Sequence, residues 1–182
     1  EALYEGVVDE VTDCAATFSD ATVLVNPSLA ALKEALSVPR RHLHIAGHAG
    51  IDNVGGKLSW IETSAGRLTS RELSEMHIRA QTIVITGCQT ARRVIRPGDE
   101  WLGMMRAFYA AGAGTIISTF WDVRDESARR FASEFYRIYD GSNAPAATRS
   151  ASQCLKEWKS HPYFWAGFAV FVRRTNERNH RH

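Results

Sequence analysis

Two short β-favouring runs, each followed by a residue suited to nucleophilic catalysis, most constrain how this chain can fold. Residues 82–86 lead through a glycine to Cys88, and residues 42–46 lead through another glycine to His48. A short run of β-branched and apolar residues that ends in a turn is typical of a buried parallel strand. In open α/β sheets, functional residues collect where such strands end. The sequence therefore predicts a parallel sheet with a cysteine and a histidine at its carboxyl edge.

Strands and helices alternate along the rest of the chain. Strands are predicted over residues 21–25, 42–48, 57–61, 82–86, 115–120 and 164–171. Helices are predicted from Asn26 and Pro27 to Pro39, and over residues 69–76, 100–111, 125–139 and 145–158. Thr69 and Glu72 have the spacing of a capping box. This alternation, with short connections, predicts an α/β fold, a three-layer α/β/α sandwich around a mostly parallel sheet.

The length of 182 residues suits one domain with a hydrophobic core. We expect that domain over residues 21–172, with an N-terminal extension of it over residues 1–20 that forms an edge strand or a short helix. A polar, basic and disordered tail is expected over residues 173–182. The chain begins at Glu1 without a methionine, so we expect it to be a piece of a longer protein.

Composition narrows the environment and the partners. The net charge of +2 provides no bulk attraction to nucleic acid, and no apolar run reaches the length of a membrane span. Three cysteines without framework spacing indicate a reducing compartment. We therefore expect a cytoplasmic domain with neither a nucleic-acid nor a membrane partner.

Cys88 and His48 together suggest covalent catalysis. A cysteine attacks as its thiolate, and a nearby imidazole both lowers the thiol pKa and later protonates the leaving amine. The backbone amides of Ala49 and Gly50, with the amide of Cys88, could form an oxyanion hole. From the residues alone, a cysteine that is merely buried at the end of its strand remains the alternative.

Other polar residues have structural and functional interpretations. His42, His44 and His48 share one strand parity, but they would spread over roughly 20 Å at about 3.3 Å per residue, so a single metal site is not expected. Asp122 and Asp125 follow a predicted strand. They could cap a helix and contact solvent, or one of them could bind a cationic substrate side chain.

Several segments together resemble the CHAT domain, a caspase-like and separase-like peptidase module of the clan that also contains gingipain and legumain. The resemblance runs from about Ala21 to Phe171. It is carried, in order, by residues 21–22, 44–48, 68–69, 85–91, 108–113, 121–125 and 161–166. Each segment is a weak pattern, and the specificity lies in their order and spacing.

The resemblance implies a caspase-like cysteine endopeptidase with His48 as base and Cys88 as nucleophile, without a cofactor, a metal or an obligatory third residue. Asp125 first, and Asp122 second, would bind an arginine or lysine before the scissile bond, as in separase. The chain departs from the family where Ala49 stands in place of glycine and where Gln89 follows the cysteine. Neither change removes a reacting atom.

The resemblance also implies a protein or peptide substrate and regulation by a domain or partner outside this chain. The basic loop after Cys88, with Arg92, Arg93 and Arg96, is a candidate for self-cleavage. If Arg92 or Arg124 faced the pocket instead, acidic residues would be preferred.

Two other functions stay open. One is a catalytically silent CHAT-like module that binds a peptide or partner. The other is a different enzyme class, either an α/β hydrolase, for which the chain lacks a Gly-x-Ser-x-Gly motif, or a metal enzyme.

Overall fold

The computed structural model describes residues 2–47, 49–51, 59–86 and 99–173. Its helices are α1 (Ala2–Ala15), α2 (Leu29–Ser37), α3 (Ser70–Ser74), α4 (Asp99–Ala110), α5 (Asp125–Ile138) and α6 (Ala144–Trp158). Its strands are β1 (Arg40–Ala46), β2 (Ala49–Ile51), β3 (Ser59–Thr63), β4 (Gly66–Thr69), β5 (Ala80–Thr86), β6 (Thr115–Thr119) and β7 (Phe168–Val172).

The central sheet has the strand order β1-β5-β6-β7. The first three strands are parallel to one another, and β7 is antiparallel to β6. All but one of the residues of β5 are buried, as expected of a strand that is covered on both faces. The prediction of a mostly parallel sheet is confirmed.

Successive residues of β5 face opposite layers of the molecule. Ile83 and Ile85 contribute to a core with α2, α3 and α4, whereas Val84 contributes to a core with α1, α5 and α6. This alternation follows from the two-residue period of a strand. Helices therefore cover both faces of the sheet, which confirms the α/β/α sandwich.

A smaller antiparallel sheet, in the order β2-β3-β4, is formed by the part of the chain between β1 and β5. Its β3–β4 hairpin turns through Gly66, whose φ of 122° suits glycine. The capping box at the start of α3 is confirmed: Thr69 accepts from the Glu72 amide at 3.2 Å, and Glu72 accepts from the Thr69 amide at 3.0 Å.

The beginning of the chain differs in part from expectation. Of the two alternatives for residues 1–20, the helix is observed, as α1. The predicted strand over residues 21–25 is wrong: the segment is irregular, and Val23, Leu24 and Val25 are exposed. Among the described residues, no strand pairs with this segment, and β-propensity without pairing does not form a strand.

The start of α2 also differs. Ser28, rather than Asn26, is the N-cap, and its hydroxyl accepts from the Ala31 amide at 3.2 Å. Asn26 has a φ of 46°, a left-handed conformation that asparagine tolerates better than most residues. The chain therefore turns at Asn26 and enters the helix only after Ser28.

Three further boundaries are corrected. Residues 49–51, expected in a loop, form β2 because β3 supplies a pairing partner. Arg124 is the N-cap of α5, so Asp125 is the first helical residue rather than the cap. The final strand begins at Phe168, after a 3₁₀ turn at Pro162–Phe164.

Parts of several predicted segments lie outside the described residues: the start of the 57–61 strand, the loop after Cys88, and the tail from residue 174. In the part of the chain that the structure describes, no helix is long and apolar enough to cross a membrane.

Candidate active site

The carboxyl ends of β1 and β5 lie side by side. Ala46 pairs with Thr86 in parallel register, and the Gly47 amide donates to the Thr86 carbonyl at 3.3 Å. The sequence continues from these paired ends to His48 and Cys88, each two residues after its strand. The two strands are therefore parallel neighbours. His48 and Cys88 themselves lie outside the described residues, so their roles stay predictions.

The backbone predicted to form the oxyanion hole lies in β2. This strand is at the edge of the smaller sheet and pairs only with β3 in the described part of the chain. Because successive amides of a strand point to opposite sides, one of the Ala49 and Gly50 amides faces away from β3. A single amide directed away from the ladder is compatible with the predicted role, and the third predicted amide, that of Cys88, is outside the described residues.

Gly50 is required by close packing rather than by a special backbone angle. A Cβ added at Gly50 would overlap the indole ring of Trp60, its partner on β3. The guanidinium of Arg67 on β4 covers that ring at 3.9 Å from its centroid. The position of β2 after His48 therefore depends on a glycine at position 50.

The loop between β6 and α5 carries Asp122 and leads to Asp125, the first residue of α5. Because β6 is parallel to β5 and next to it, this loop begins at the same edge of the sheet as the carboxyl end of β5. The Phe120 amide donates to the Gly167 carbonyl at 2.8 Å, and the Trp121 indole donates to the Tyr163 carbonyl at 3.1 Å. The loop is thereby fixed to the segment before β7.

The two carboxylates differ in setting. Asp122 has an exposed side chain, and its carbonyl accepts from the Tyr163 hydroxyl at 2.8 Å. Asp125 is half-buried in the first turn of α5, where the helix dipole favours a negative charge. Its carboxyl group lies against Gly6 of α1, because a Cβ added there would be 2.7 Å from Oδ2. Both aspartates thus remain candidates for binding a cation.

A buried carboxylate that the sequence analysis missed lies near the strand ends. Glu10 of α1 is 2% exposed, and its Oε1 lies 2.8 Å from Nε2 of His44 on β1. The Thr86 hydroxyl on β5 donates to the same oxygen. A signal was present, because Glu10 falls at helical spacing between Val7 and Cys14 and so belongs to the apolar face of α1.

The charge of Glu10 contributes to the raised pKa values of two neighbouring groups. Burial, then the charges of Glu10 and Asp13, raise the pKa of the Cys14 thiol to about 12. Burial first, and then Cys14 and Glu10 among others, raise the pKa of the Tyr136 hydroxyl well above its usual value. Cys14 is therefore a protonated thiol at neutral pH and has no nucleophilic role there.

His42 and His44, the two histidines of β1, contact aromatic residues on the same face of the sheet. His42 packs against Phe18 and Tyr139, and burial, followed by the charge of Arg41, lowers its pKa. Nδ1 of His44 lies 3.2 Å from the Tyr136 hydroxyl. Among the described residues, no three histidines, cysteines or carboxylates converge as a metal site would require.

Comparisons with known proteins bear on the family. The profile described as "CHAT domain" matches residues 4–173, almost the whole chain. Tetratricopeptide repeat protein 28 of Mus musculus is 29% identical over 106 residues, which is 57% of this chain and 4% of that protein. The Homo sapiens protein of the same name gives the same identity and coverage. The chain thus spans a small part of the length of these two relatives. By its match and its fold, it belongs to the CHAT domain family, in the caspase-like peptidase superfamily.

Proposed function

We propose that this domain is a cysteine endopeptidase with His48 and Cys88 as its catalytic dyad. The observation that carries the proposal is the parallel pairing of Ala46 with Thr86, since each of these residues precedes one member of the dyad by two positions. Membership in a caspase-like family supports the same chemistry. No cofactor takes part in this mechanism.

The reaction follows the chemistry of a thiolate and an imidazole. His48 takes the thiol proton of Cys88, the thiolate sulfur attacks the scissile carbonyl carbon, and His48 donates that proton to the leaving amine as the C–N bond breaks. His48 then takes a proton from water, whose oxygen attacks the thioester. As the C–S bond breaks, His48 returns this proton to the Cys88 sulfur and the carboxylic acid is released. The one amide of Ala49 and Gly50 that faces away from β3, together with the amide of Cys88, stabilises the negative oxygen of each tetrahedral intermediate.

The residue before the scissile bond is basic in this proposal. Asp125 is the first candidate to bind it and Asp122 the second, because both belong to the loop and helix start that follow the strand next to β5. A carboxylate favours an arginine or lysine side chain through charge-assisted hydrogen bonds. If Arg124 faced the substrate instead, the preference would be for acidic residues.

Regulation by a region or partner outside this chain is the remaining part of the proposal. The relatives are named for tetratricopeptide repeats, and they are far longer than the segment they share with this chain. A repeat region of that kind is a candidate regulator. The substrate is a protein or peptide, and we propose the cytoplasm as the location.

The test is cleavage of a peptide library varied at the residue before the scissile bond. Wild type, Cys88→Ala and His48→Ala are compared, with Cys154→Ala as the matched control because Cys154 is a free cysteine on α6. We expect cleavage after arginine or lysine that both dyad variants lose and the control keeps. Cleavage that survives in Cys88→Ala would refute the mechanism, whereas Cys88-dependent cleavage after acidic residues would refute only the basic preference.

The loop that contains Arg92, Arg93 and Arg96 provides a second readout. If the domain accepts basic residues, incubation of wild type should cleave this loop and Cys88→Ala should remain intact, as measured by mass spectrometry. A catalytically silent binding module would leave both the library and the loop uncut, even when the domain is tested within its parent protein.

A further inference from the structure

The carboxylate of Glu10 joins three elements of the fold at one buried point. It lies on α1, and its Oε1 contacts Nε2 of His44 on β1 at 2.8 Å and the hydroxyl of Thr86 on β5. Thr86 is the last residue of β5, and His44 lies two residues before the end of β1. One oxygen atom therefore connects the two strands that lead to the predicted dyad.

The donors and acceptors around this carboxylate are consistent with one another. A carboxylate can only accept, so Nε2 of His44 donates to Glu10. In a neutral imidazole the other nitrogen then accepts, which matches the Tyr136 hydroxyl 3.2 Å from Nδ1. A buried charge is tolerated only where hydrogen bonds replace its lost hydration. The contacts to His44 and Thr86 supply that replacement.

A second set of contacts orients the helix that carries Glu10. Arg129 of α5 binds Asp13 at 2.6 Å and Asp9 at 2.8 Å, both on the outer side of α1. Glu10 points inward from the same two turns of helix, where it is nearly fully buried. The carboxylate is thus held from outside by an ion-pair cluster and from inside by the strands.

We propose that Glu10 is a positioning residue, whose carboxylate holds the carboxyl ends of β1 and β5 at a fixed separation through His44 and Thr86. The consequence for catalysis rests on the proposed function, because the chain runs from these ends to His48 and Cys88. The direct consequence for the structure of the two strand ends does not depend on the proposed function. It concerns the last observed hydrogen bond between the two strands, from the Gly47 amide to the Thr86 carbonyl at 3.3 Å.

The test compares Glu10→Gln with Asp9→Asn. Both substitutions remove one carboxylate from α1 without changing side-chain size, but Asp9 is exposed and contacts Arg129 of α5. The first measurement is the exchange rate of the Gly47 amide by NMR, with the amide of Val84 in the middle of β5 as internal reference. We expect Gly47 to exchange about tenfold faster in Glu10→Gln and unchanged in Asp9→Asn, since the first variant weakens buried hydrogen bonds to β1 and β5, whereas the second weakens only an exposed contact between α1 and α5.

The second measurement is kcat and KM on the best peptide of the library. A positioning role predicts that kcat falls about tenfold in Glu10→Gln while KM stays within about twofold, because binding is retained and alignment is lost. Equal Gly47 exchange in the two variants would overturn the proposal, as would faster exchange with an unchanged kcat. If wild type cleaves nothing, even within its parent protein, the proposed function fails, and the exchange rates still decide whether Glu10 holds the strand ends.

A second, milder variant keeps the test informative if Glu10→Gln does not fold. Thr86→Val removes only the hydroxyl that donates to Glu10 and preserves the shape of a buried β-branched side chain. It should show the same direction of change in Gly47 exchange and in kcat. No change in either quantity would also overturn the proposal.

Discussion

The hydroxyl of Tyr163 donates a hydrogen bond to the main-chain carbonyl of Asp122 at 2.8 Å. The indole of Trp121, one residue earlier, donates to the carbonyl of Tyr163 at 3.1 Å. These two bonds run in opposite directions between the same two segments. The loop that carries Asp122 and leads to Asp125 is therefore fixed by Tyr163, 41 residues after Asp122, and its shape depends on the Tyr163 hydroxyl and the Trp121 indole.

Tyr163→Phe tests the importance of this attachment. The variant loses one hydrogen bond at an exposed site, so we expect the free energy of unfolding in urea to fall by no more than about 1 kcal/mol. We also expect KM for a peptide with arginine before the scissile bond to rise about threefold with kcat unchanged, because the loop is less ordered before binding. Tyr109→Phe is the control, since the Tyr109 hydroxyl is buried and has no hydrogen-bond partner among the described residues. An equal rise in KM in the two variants would contradict the prediction.

Gly6→Ala tests whether Asp125 binds the positively charged side chain of the substrate. The new methyl group would lie within 3 Å of Oδ2 and Cβ of Asp125, so the carboxylate must rotate away and, because Cβ does not move with the rotamer, α1 and α5 must also shift slightly apart. We expect kcat/KM for arginine-containing peptides to fall about tenfold, in Gly6→Ala as in Asp125→Asn, with a smaller change for a neutral residue at the same position. Selectivity that survives in both variants would transfer the role to Asp122.

Regular patterns in the sequence were enough to predict a mostly parallel sheet and the cap of α3, for which Thr69 and Glu72 have the right spacing. Both depend on residues within one element. The runs before Cys88 and His48 predict two buried strands, but only β5 is buried: β1 lies at the edge of the sheet and is half-buried. The patterns do not determine the order of the strands, because that order depends on pairing between distant residues.

Features that depend on distant partners were not predictable. Residues 49–51 became a strand only because β3 lies beside them, and residues 21–25 stayed irregular although their composition favours a strand. Glu10 is a mixed case. Its spacing from Val7 and Cys14 places it on the apolar face of α1, but its partners His44 and Thr86, which are 34 and 76 residues away in the chain, could not be predicted.

Thiol reactivity should separate the three cysteines. Burial first, then Glu10 and Asp13, raise the pKa of Cys14 to about 12, and burial followed by the Glu134 contact raises the pKa of Cys154. At pH 7.5 we expect Cys14 to react with iodoacetamide at least about a hundredfold more slowly than a free cysteine, because the thiolate is the reactive form. Cys88 should react at least about tenfold faster than Cys154 if His48 activates it.

Mass spectrometry of the labelled peptides gives the three rates in one sample, and His48→Ala is the control. The substitution should reduce the rate at Cys88 to that of Cys154. A wild-type Cys88 that is no faster than Cys154 would instead favour the binding module over the peptidase.

Acid should selectively weaken the contribution of Glu72 to stability. Its hydrogen bond with Lys33, followed by those with Thr69, lowers the carboxyl pKa from 4.5 to about 2 in the folded state. A depressed pKa adds stability that is present above the unfolded value and is lost as the pH falls toward the folded value. The Glu72 and Lys33 side chains are more than a third exposed, so the contribution is modest.

In urea unfolding, Glu72→Gln should reduce the free energy of unfolding by about 1 kcal/mol at pH 7, the usual magnitude for a cap. The difference from wild type should shrink steadily from pH 5 to pH 2. Glu75→Gln, at an exposed i,i+4 pair with Arg71, is the control and should differ little from wild type at any pH. A Glu72→Gln effect that persists unchanged at pH 2 would show that packing, rather than charge, is responsible.

The two glycines on either side of His48 should respond differently to a methyl group. At Gly50 the added Cβ would overlap the indole of Trp60, whereas at Gly47 no atom of the described residues lies within 4 Å. Overpacking of this kind typically costs about 1–3 kcal/mol, so Gly50→Ala must shift either Trp60 or β2. Because β2 carries the predicted oxyanion amides, we expect kcat of Gly50→Ala to fall about tenfold with little change in KM, and Gly47→Ala to remain near wild type. The reverse order of effects, with Gly47→Ala the more impaired variant, would show that the space around Gly47 matters more than the alignment of β2.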